Sequence, residues 1–349
     1  MNEVVKPVNE IIEPVNKVVA VTGATGLVGM AVVKWLSLRG YKVIAVARDE
    51  EKLKNFLAQL PLSSKSFVAP SPYCCALSQE SLTKAFAGAD IVVHAAGFVS
   101  PTADRQVIFD INFGGTRAAF GAAQDAGVKQ FIHISSLSVI TGQGDQFNLD
   151  EEAPLRLCGE AYADSKVETE KWLTSENGAC AWTILRPGFI YGVGERSWLP
   201  RLIDSISSGK AMLVDGGFRE TNLVYADNLS LAVELALGNE KAYRQVFNIT
   251  DGQKITKKDL FDAVADCLGL SRVKKSIPRW LLFPVAKIVT AATASLPPEK
   301  RVQYARFSPG AFRLAAVNQG FSINKAVSVL GYKDTVPFEA AMRETLKRV

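Results

Sequence analysis

Tyr162 and Lys166 stand four residues apart in the run Tyr162-Ala163-Asp164-Ser165-Lys166. On a helix that spacing puts both side chains on one face. An ammonium beside a phenol favours the phenolate, so the tyrosine pKa is expected to fall toward neutral. Tyr162 could then act as a general acid or base. The pattern recurs by chance in many chains, and its weight depends on where the helix lies. A second group is Ile134-Ser135-Ser136-Leu137-Ser138, which leaves a strand. A hydroxyl at the carboxyl end of a parallel strand faces the ligand crevice and can polarise a substrate carbonyl. Ser136 is the first candidate for that role and Ser138 the second. Ser135 reads as a hydroxyl that satisfies the strand end.

A third group is Thr22-Gly23-Ala24-Thr25-Gly26-Leu27-Val28-Gly29. The first glycine permits a tight turn, the second lets backbone approach a pyrophosphate, and the third lets a helix pack on the strand. The helix then offers free N–H groups and the positive end of its dipole. The turn sits between a strand and a helix of a βαβ unit, which is the context a dinucleotide site requires. Thr22, Gly23, Thr25, Gly26, Leu27, Val28 and Gly29 are therefore expected to cradle a nicotinamide dinucleotide. The next strand bears on which one. NAD sites usually end it with an acid for the ribose 2′-hydroxyl, whereas NADP sites place an arginine near the 2′-phosphate. Here Ala47 takes the place of the acid and Arg48 follows. A guanidinium grips phosphate as a fork, so NADP(H) is the expected cofactor. Asp49 keeps NAD(H) open, since it could take the acidic role or pair with Arg48.

The elements that must hold these groups alternate from Lys17 onward. Apolar, β-branched runs predict strands at 18–21, 41–47, 90–94, 131–134 and 182–185, and helical patterns fall at 27–39, 81–86, 112–126 and 162–172. This is an α/β chain with a Rossmann-type, doubly wound parallel sheet and right-handed crossovers. Beyond Arg186 the pattern loosens, with a strand at 222–225, a helix at 228–237, a strand at 246–249 and mainly helix thereafter. The predicted organisation is a Rossmann domain of 17–185 and 222–250, a smaller discontinuous substrate domain of 186–221 and 251–349, and an N-terminal arm of 1–16.

Composition agrees with a folded chain of two domains, or of one large α/β domain with additions. The 349 residues are 48% hydrophobic and 21% charged, enough to bury a substantial core. A net charge of +5 from 40 basic and 35 acidic residues is too balanced to call for nucleic acid. The five cysteines have neither zinc nor disulfide-framework spacing, and 1–16 lacks a secretory pattern. A reducing, cytoplasmic compartment is expected. The two histidines, His94 and His133, lie in apolar strands and read as structural, so no metal site is expected.

Taken together, the glycine turn, His94-Ala95-Ala96-Gly97, Asn112 with Gly115-Thr116, the Ser136/Tyr162/Lys166 set and Arg186-Pro187-Gly188 resemble the extended short-chain dehydrogenase/reductase superfamily. The resemblance runs from Val18 to the end of the chain. It implies a seven-stranded sheet, a catalytic triad of Ser136, Tyr162 and Lys166, and an Asn112 that helps position a proton relay. It also implies that Ala95, Ala96 and Gly97 lie along the cofactor, that Lys166 reaches the nicotinamide ribose, and that Pro187 and Gly188 approach the nicotinamide. Phe98, Ser138 and Tyr191 are the expected substrate contacts. Members often carry an Asp-Leu pair near adenine, and this sequence has Ala76-Leu77 instead.

Two subclasses compete. Nucleotide-sugar epimerases and dehydratases carry a phosphate-binding arginine shortly before a Tyr-Val-Asp-type stretch. The corresponding stretch here, Thr221 to Asp227, lacks it, although Arg219 lies two residues earlier. The C-terminal region is similar instead to 3β-hydroxysteroid dehydrogenases, sterol-4α-carboxylate dehydrogenases and 2-alkyl-3-oxoacid reductases. Its apolar run from Trp280 is short for a bilayer span and is broken by Pro284 and Lys287. Basic residues flank it, so 272–313 fits either peripheral contact with an anionic membrane surface or a core helix pair. The expected activity is NADP(H)-dependent interconversion of a hydroxyl and a ketone on a hydrophobic small molecule, sterol-like or 3-oxoacyl. The alternatives are an epimerase or dehydratase with retained cofactor and an NADP-binding sensor without turnover. Intact Tyr162 and Lys166 argue against the sensor. A second copy of the chain is a further candidate partner.

Overall fold

The computed structural model describes residues 17–60, 66–100, 103–141, 144–281 and 315–347, together with Pro284, Ile288 and Ala292. The arm 1–16 and most of the segment 272–313 lie outside the described residues. Among the described residues, no helix is long and apolar enough to cross a membrane.

The strands are β1 (Val18–Thr22), β2 (Lys42–Ala47), β3 (Ser71–Cys74), β4 (Ile91–His94), β5 (Gln130–Ile134), β6 (Ala181–Pro187) and β7 (Gln245–Ile249). They form one parallel sheet in the order β7-β6-β5-β4-β1-β2-β3. Both faces are covered. Val19 and Val21 of β1 pack with Val32, Val33 and Leu36 of α1 (Leu27–Leu38) and with Leu229, Ala232 and Val233 of a later helix. Ala20, pointing the other way, joins Val92 and Phe131 beneath Leu82, Phe86, Phe120 and Leu173. This period-two division, apolar on both sides, is what a sheet sandwiched between helix layers demands. Each fully buried Val, Leu or Phe contributes about 1.5–3 kcal/mol of transfer free energy.

Several elements depart from the sequence reading, among them the helix Glu50–Ala58 and the strands Gln146–Leu149 and Phe189–Tyr191, which it lacked; two more have a clear physical reason. The edge strand β3, Ser-Pro-Tyr-Cys, has no apolar run to announce it, and its Pro72 is tolerable because edge strands need not donate every ladder bond. The helix predicted over 112–126 begins earlier. It runs as α2 (Arg105–Phe109), a π-helical turn (Asp110–Gly114) and α3 (Gly115–Asp125). The helix of Tyr162 is α4 (Ala161–Ser175).

The chain leaves β1 toward β2 and β3, then returns to β4 on the other side. That reversal opens a crevice beyond the carboxyl ends of β1 and β4, where open α/β sheets bind ligands. Further on, short parallel pairs continue past the sheet. Phe189–Tyr191 pairs with Leu223–Tyr225, and Gln146–Leu149 pairs with Gln319–Phe321. All five cysteines are free thiols, with Cys74 at the end of β3.

Candidate active site

The glycine turn closes over the β1–β4 switch point. Gly23 has φ +70°, and a Cβ there would fall 2.7 Å from Ala96 N and 2.9 Å from the Ala95 carbonyl carbon. A Cβ on Gly29 would fall 2.1 Å from Gly23 O, so only glycine lets α1 start this close to the strand. Gly26 is exposed at the N-cap of α1, no side chain caps it, and no acid lies in the first turn. Thr25, Leu27 and Val28 are half-buried around it, as are Ala95 and Ala96, while Gly97 is exposed. A pyrophosphate fits this arrangement. Backbone can approach it without a Cβ in the way, and uncapped N–H groups with a positive dipole end face an anion. Thr22 departs from its expected role. It is fully buried, and its hydroxyl is taken by His94 Nδ1 at 2.9 Å and by the Ala96 N–H at 3.3 Å. It ties β1 to β4 rather than offering a cofactor contact.

Arg48 and Asp49 divide at the end of β2. Asp49 caps the helix Glu50–Ala58, accepting from Lys52 N at 3.0 Å and pairing with Lys52 Nζ at 2.9 Å. The Arg48 side chain is exposed and has no partner among the described residues.

The proposed triad comes from two elements. Ser136 follows β5, and Tyr162 and Lys166 lie one turn apart on α4. Ser136 lies near enough to Tyr162 for its hydroxyl to favour the phenolate, and Ser136 Oγ accepts from Ser138 N at 3.2 Å. Lys166 is buried, and its Nζ donates to Ile134 O at 2.8 Å. The electrostatics differ from the sequence expectation. Burial pushes the Tyr162 phenol up to about 12, against a smaller lowering by Ser136. Desolvation thus outweighs any pull from the ammonium. Burial also brings the Lys166 ammonium down to about 8, with Glu170 opposing.

Asn112 sits fully buried in the π-helical turn. Its Oδ1 accepts from Phe98 N at 2.7 Å, and its Nδ2 donates to Phe98 O at 3.1 Å and to Ser165 Oγ at 3.0 Å. It therefore locks the half-buried Phe98 and the loop after Gly97 to α4. The Ser138 hydroxyl is buried with no hydrogen-bond partner among the described residues, a state that calls for a ligand or water. Gly188 is fixed by packing, since a Cβ would fall 1.9 Å from Asn222 O; Pro187 before it is buried at the end of β6.

Tyr191 does not face a substrate. It is fully buried against Tyr225 and Phe338, and its hydroxyl donates to Asp251 at 2.8 Å. Arg219 is also committed, bonding Asp145 at 3.0 Å and Asp215 at 3.2 Å. His94 and His133 stack at 5.8 Å. Burial holds both neutral, His94 down to about 3 and His133 well below its ordinary value. The sequence reading missed the buried partners beneath the triad, Glu170 and Arg186, which pair at 2.6 Å. Two signals were present: Glu170 repeats the Tyr162–Lys166 spacing, and Arg186 interrupts an apolar strand.

Residues 20–274 match the model of the 3-beta hydroxysteroid dehydrogenase/isomerase family. The chain is 27% identical to 4-hydroxy-2-methyl-3-oxo-4-farnesyl-3,4-dihydroquinoline-1-oxide ketoreductase of Stigmatella aurantiaca, over 92% of this chain and 93% of that relative. Among solved structures it is similar to gox2253, with TM-score 0.77 and 25% identity over 95% and 98% of the two chains. UDP-glucuronic acid 4-epimerase of Bacillus cereus, solved in complex with NAD, shares the fold at TM-score 0.71 and 19% identity, over 95% of this chain and 98% of that one. The sheet, the switch-point glycines and these matches agree. The chain belongs to the 3-beta hydroxysteroid dehydrogenase/isomerase family, within the extended short-chain dehydrogenase/reductases, and is an NAD(P)-dependent oxidoreductase.

Proposed function

We propose that the chain is an NADP(H)-dependent reductase that interconverts a ketone and a hydroxyl on a hydrophobic, sterol-like or 3-oxoacyl substrate. The observation that carries this reading is Ser136 at the end of β5 beside Tyr162, with Lys166 one turn further along α4 and tied to Ile134 O at 2.8 Å. Ser136 holds the substrate oxygen. Tyr162, kept protonated by burial, donates its proton to that oxygen as the ketone is reduced and regains it in the reverse direction. Lys166 holds the nicotinamide ribose and keeps a positive charge near the developing oxyanion. When bound, the nicotinamide ring supplies or accepts the hydride. Ser138 is a second polar contact for substrate, by a buried hydroxyl that has no partner among the described residues.

The choice of NADP(H) is supported by the division at β2, where Asp49 is occupied as a cap while the Arg48 side chain has no partner among the described residues. The hydrophobic substrate class is supported by the farnesylated, 3-oxo compound in the name of the Stigmatella relative. The nucleotide-sugar reading loses its one candidate phosphate ligand, because both ends of the Arg219 guanidinium are taken by carboxylates.

The test is NADPH oxidation with an aliphatic 3-oxo compound or a steroid ketone. Wild type should consume NADPH, and Tyr162→Phe should lower kcat by about 10²- to 10⁴-fold while still binding NADPH. Unchanged turnover in Tyr162→Phe would remove the acid–base assignment. A cofactor that stays bound through gel filtration, with no net NADPH oxidation, would favour epimerase chemistry.

A further inference from the structure

Behind the triad lies a second polar constellation that no catalytic role has absorbed. Glu170 follows Lys166 by four residues on α4, so Tyr162, Lys166 and Glu170 share one helix face. The Glu170 and Arg186 side chains are 1% and 4% exposed. Arg186 grips the carboxylate in fork geometry, with Nε at 3.1 Å and 3.0 Å from the two oxygens and a terminal nitrogen at 2.6 Å. Ser135 Oγ donates to the same carboxylate.

These contacts join the three segments that carry the site. Ser135 precedes Ser136 at the end of β5. Glu170 is on the helix of Tyr162 and Lys166. Arg186 directly precedes Pro187-Gly188 at the end of β6. Lys166 adds a fourth tie through Ile134 O, and Ser135 N donates to Leu185 O at 2.8 Å. A buried ion pair is a poor stability device, since an apolar pair of similar volume often serves as well. What it supplies is a fixed geometry and a fixed charge. The charged and titratable groups around Lys166 are Glu170 and Tyr162 on its own helix, and His94 and His133 on the sheet, both imidazoles neutral. Arg186, behind Glu170, offsets part of that carboxylate's field, and what remains favours the Lys166 ammonium against burial.

We propose that Glu170 and Arg186 are positioning residues of the reaction, which with Ser135 set Ser136 against Tyr162 and fix the charge environment of Lys166. This rests on the reductase reading above. Removing the carboxylate alone takes away the charge that opposes burial of the Lys166 ammonium and leaves the buried Arg186 without its partner. Shortening it keeps the charge and spoils the geometry.

The test compares Glu170→Gln, Glu170→Asp and Ser135→Ala with wild type. Glu170→Gln should move the Lys166-dependent step, in both kcat/KM and NADPH affinity, to lower pH by roughly one unit. Glu170→Asp should leave that step in place and lower kcat about tenfold through misplacement. Both are expected to leave the KM for NADPH little changed at a pH below the step. Ser135→Ala leaves the ion pair intact, so it should fold normally and still lose several-fold in kcat. A Glu170→Gln protein that folds with both pH profiles unmoved overturns the charge role. If that variant does not fold, full kcat in Ser135→Ala overturns the positioning role. NADPH affinity against pH is followed by fluorescence, without substrate. If wild type reduces no ketone, the reductase reading fails while the affinity profile still decides the charge role.

Discussion

Arg48→Ala should convert the cofactor preference, and the size of the change follows from the position of the side chain. Arg48 is exposed at the end of β2 and carries no competing ion pair among the described residues. No bond has to be broken before it meets a phosphate. Two unit charges about 4 Å apart attract by about 1 kcal/mol at the dielectric of water and about 4 kcal/mol at an effective value of 20. A hydrogen bond to a charged group is worth about 1.5–3 kcal/mol. At an exposed rim the lower half of that range applies, about 1.5–2.2 kcal/mol, or a roughly 10- to 40-fold weaker Kd for NADPH. NADH has no 2′-phosphate, so its Kd should move less than about twofold. The assay is fluorescence titration of both cofactors against wild type and variant, at low and moderate salt. The NADPH advantage should shrink as salt rises, because the contact is exposed. Equal losses for both cofactors would show that Arg48 does not read the 2′-phosphate. A wild type that prefers NADH would refute the reasoning at its root.

Two further outcomes follow from packing and burial. Gly29→Ala places a Cβ 2.1 Å from Gly23 O and 2.6 Å from its carbonyl carbon, so α1 must move off β1 by about 1 Å. The expected result is about 1–3 kcal/mol of destabilisation and a large loss of NADPH affinity, read by thermal melts and titration; an unshifted Tm with full affinity would contradict the close approach. Asp251 is buried, accepts from Tyr225 N, Asn228 Nδ2 and Tyr191 Oη, and is pushed up to about 6, chiefly by desolvation. Its folded-state pKa lies above the unfolded value, so the stability it contributes is full below about pH 4 and is lost as pH rises through about 6. Asp251→Asn should flatten that part of the stability curve, by on the order of 2 kcal/mol across the window. A urea midpoint whose pH dependence is the same in both proteins would count against the buried titration.

The cofactor half was the most legible part of the chain. Runs such as Val18-Val19-Ala20-Val21 can only be strands buried on both faces, and three glycines at one spacing between strand and helix have a single economical geometry. The strand Ser71–Cys74 escaped notice because an exposed edge strand needs no apolar run. The early start of the Arg105 helix was hidden because its buried face is carried largely by Ile108. Within the site, residue type located Ser136, Tyr162 and Lys166, but not what they feel. Whether an ammonium or desolvation dominates at a phenol depends on depth, which spacing does not encode. Tyr191 was misread for the same reason, since its partner Asp251 is remote in sequence. Likewise Thr22 and Arg219 carry polar atoms suited to ligands, and the fold spends them internally on His94, Asp145 and Asp215.

The pairing of Gln146–Leu149 with Gln319–Phe321 has a consequence for how the molecule is made. Asn318, just before the second strand, accepts Glu220 N and donates to both Asp145 and Gln146 O. These contacts span 98 to 173 residues, and contacts of such high sequence separation form late because loop closure must come first. Much of the nucleotide crevice is encoded early and can assemble as translation proceeds. The pairing that holds 146–149 waits for residues 318–321 to emerge. Pulsed hydrogen exchange should therefore show β1, β4 and β5 protected ahead of 146–149.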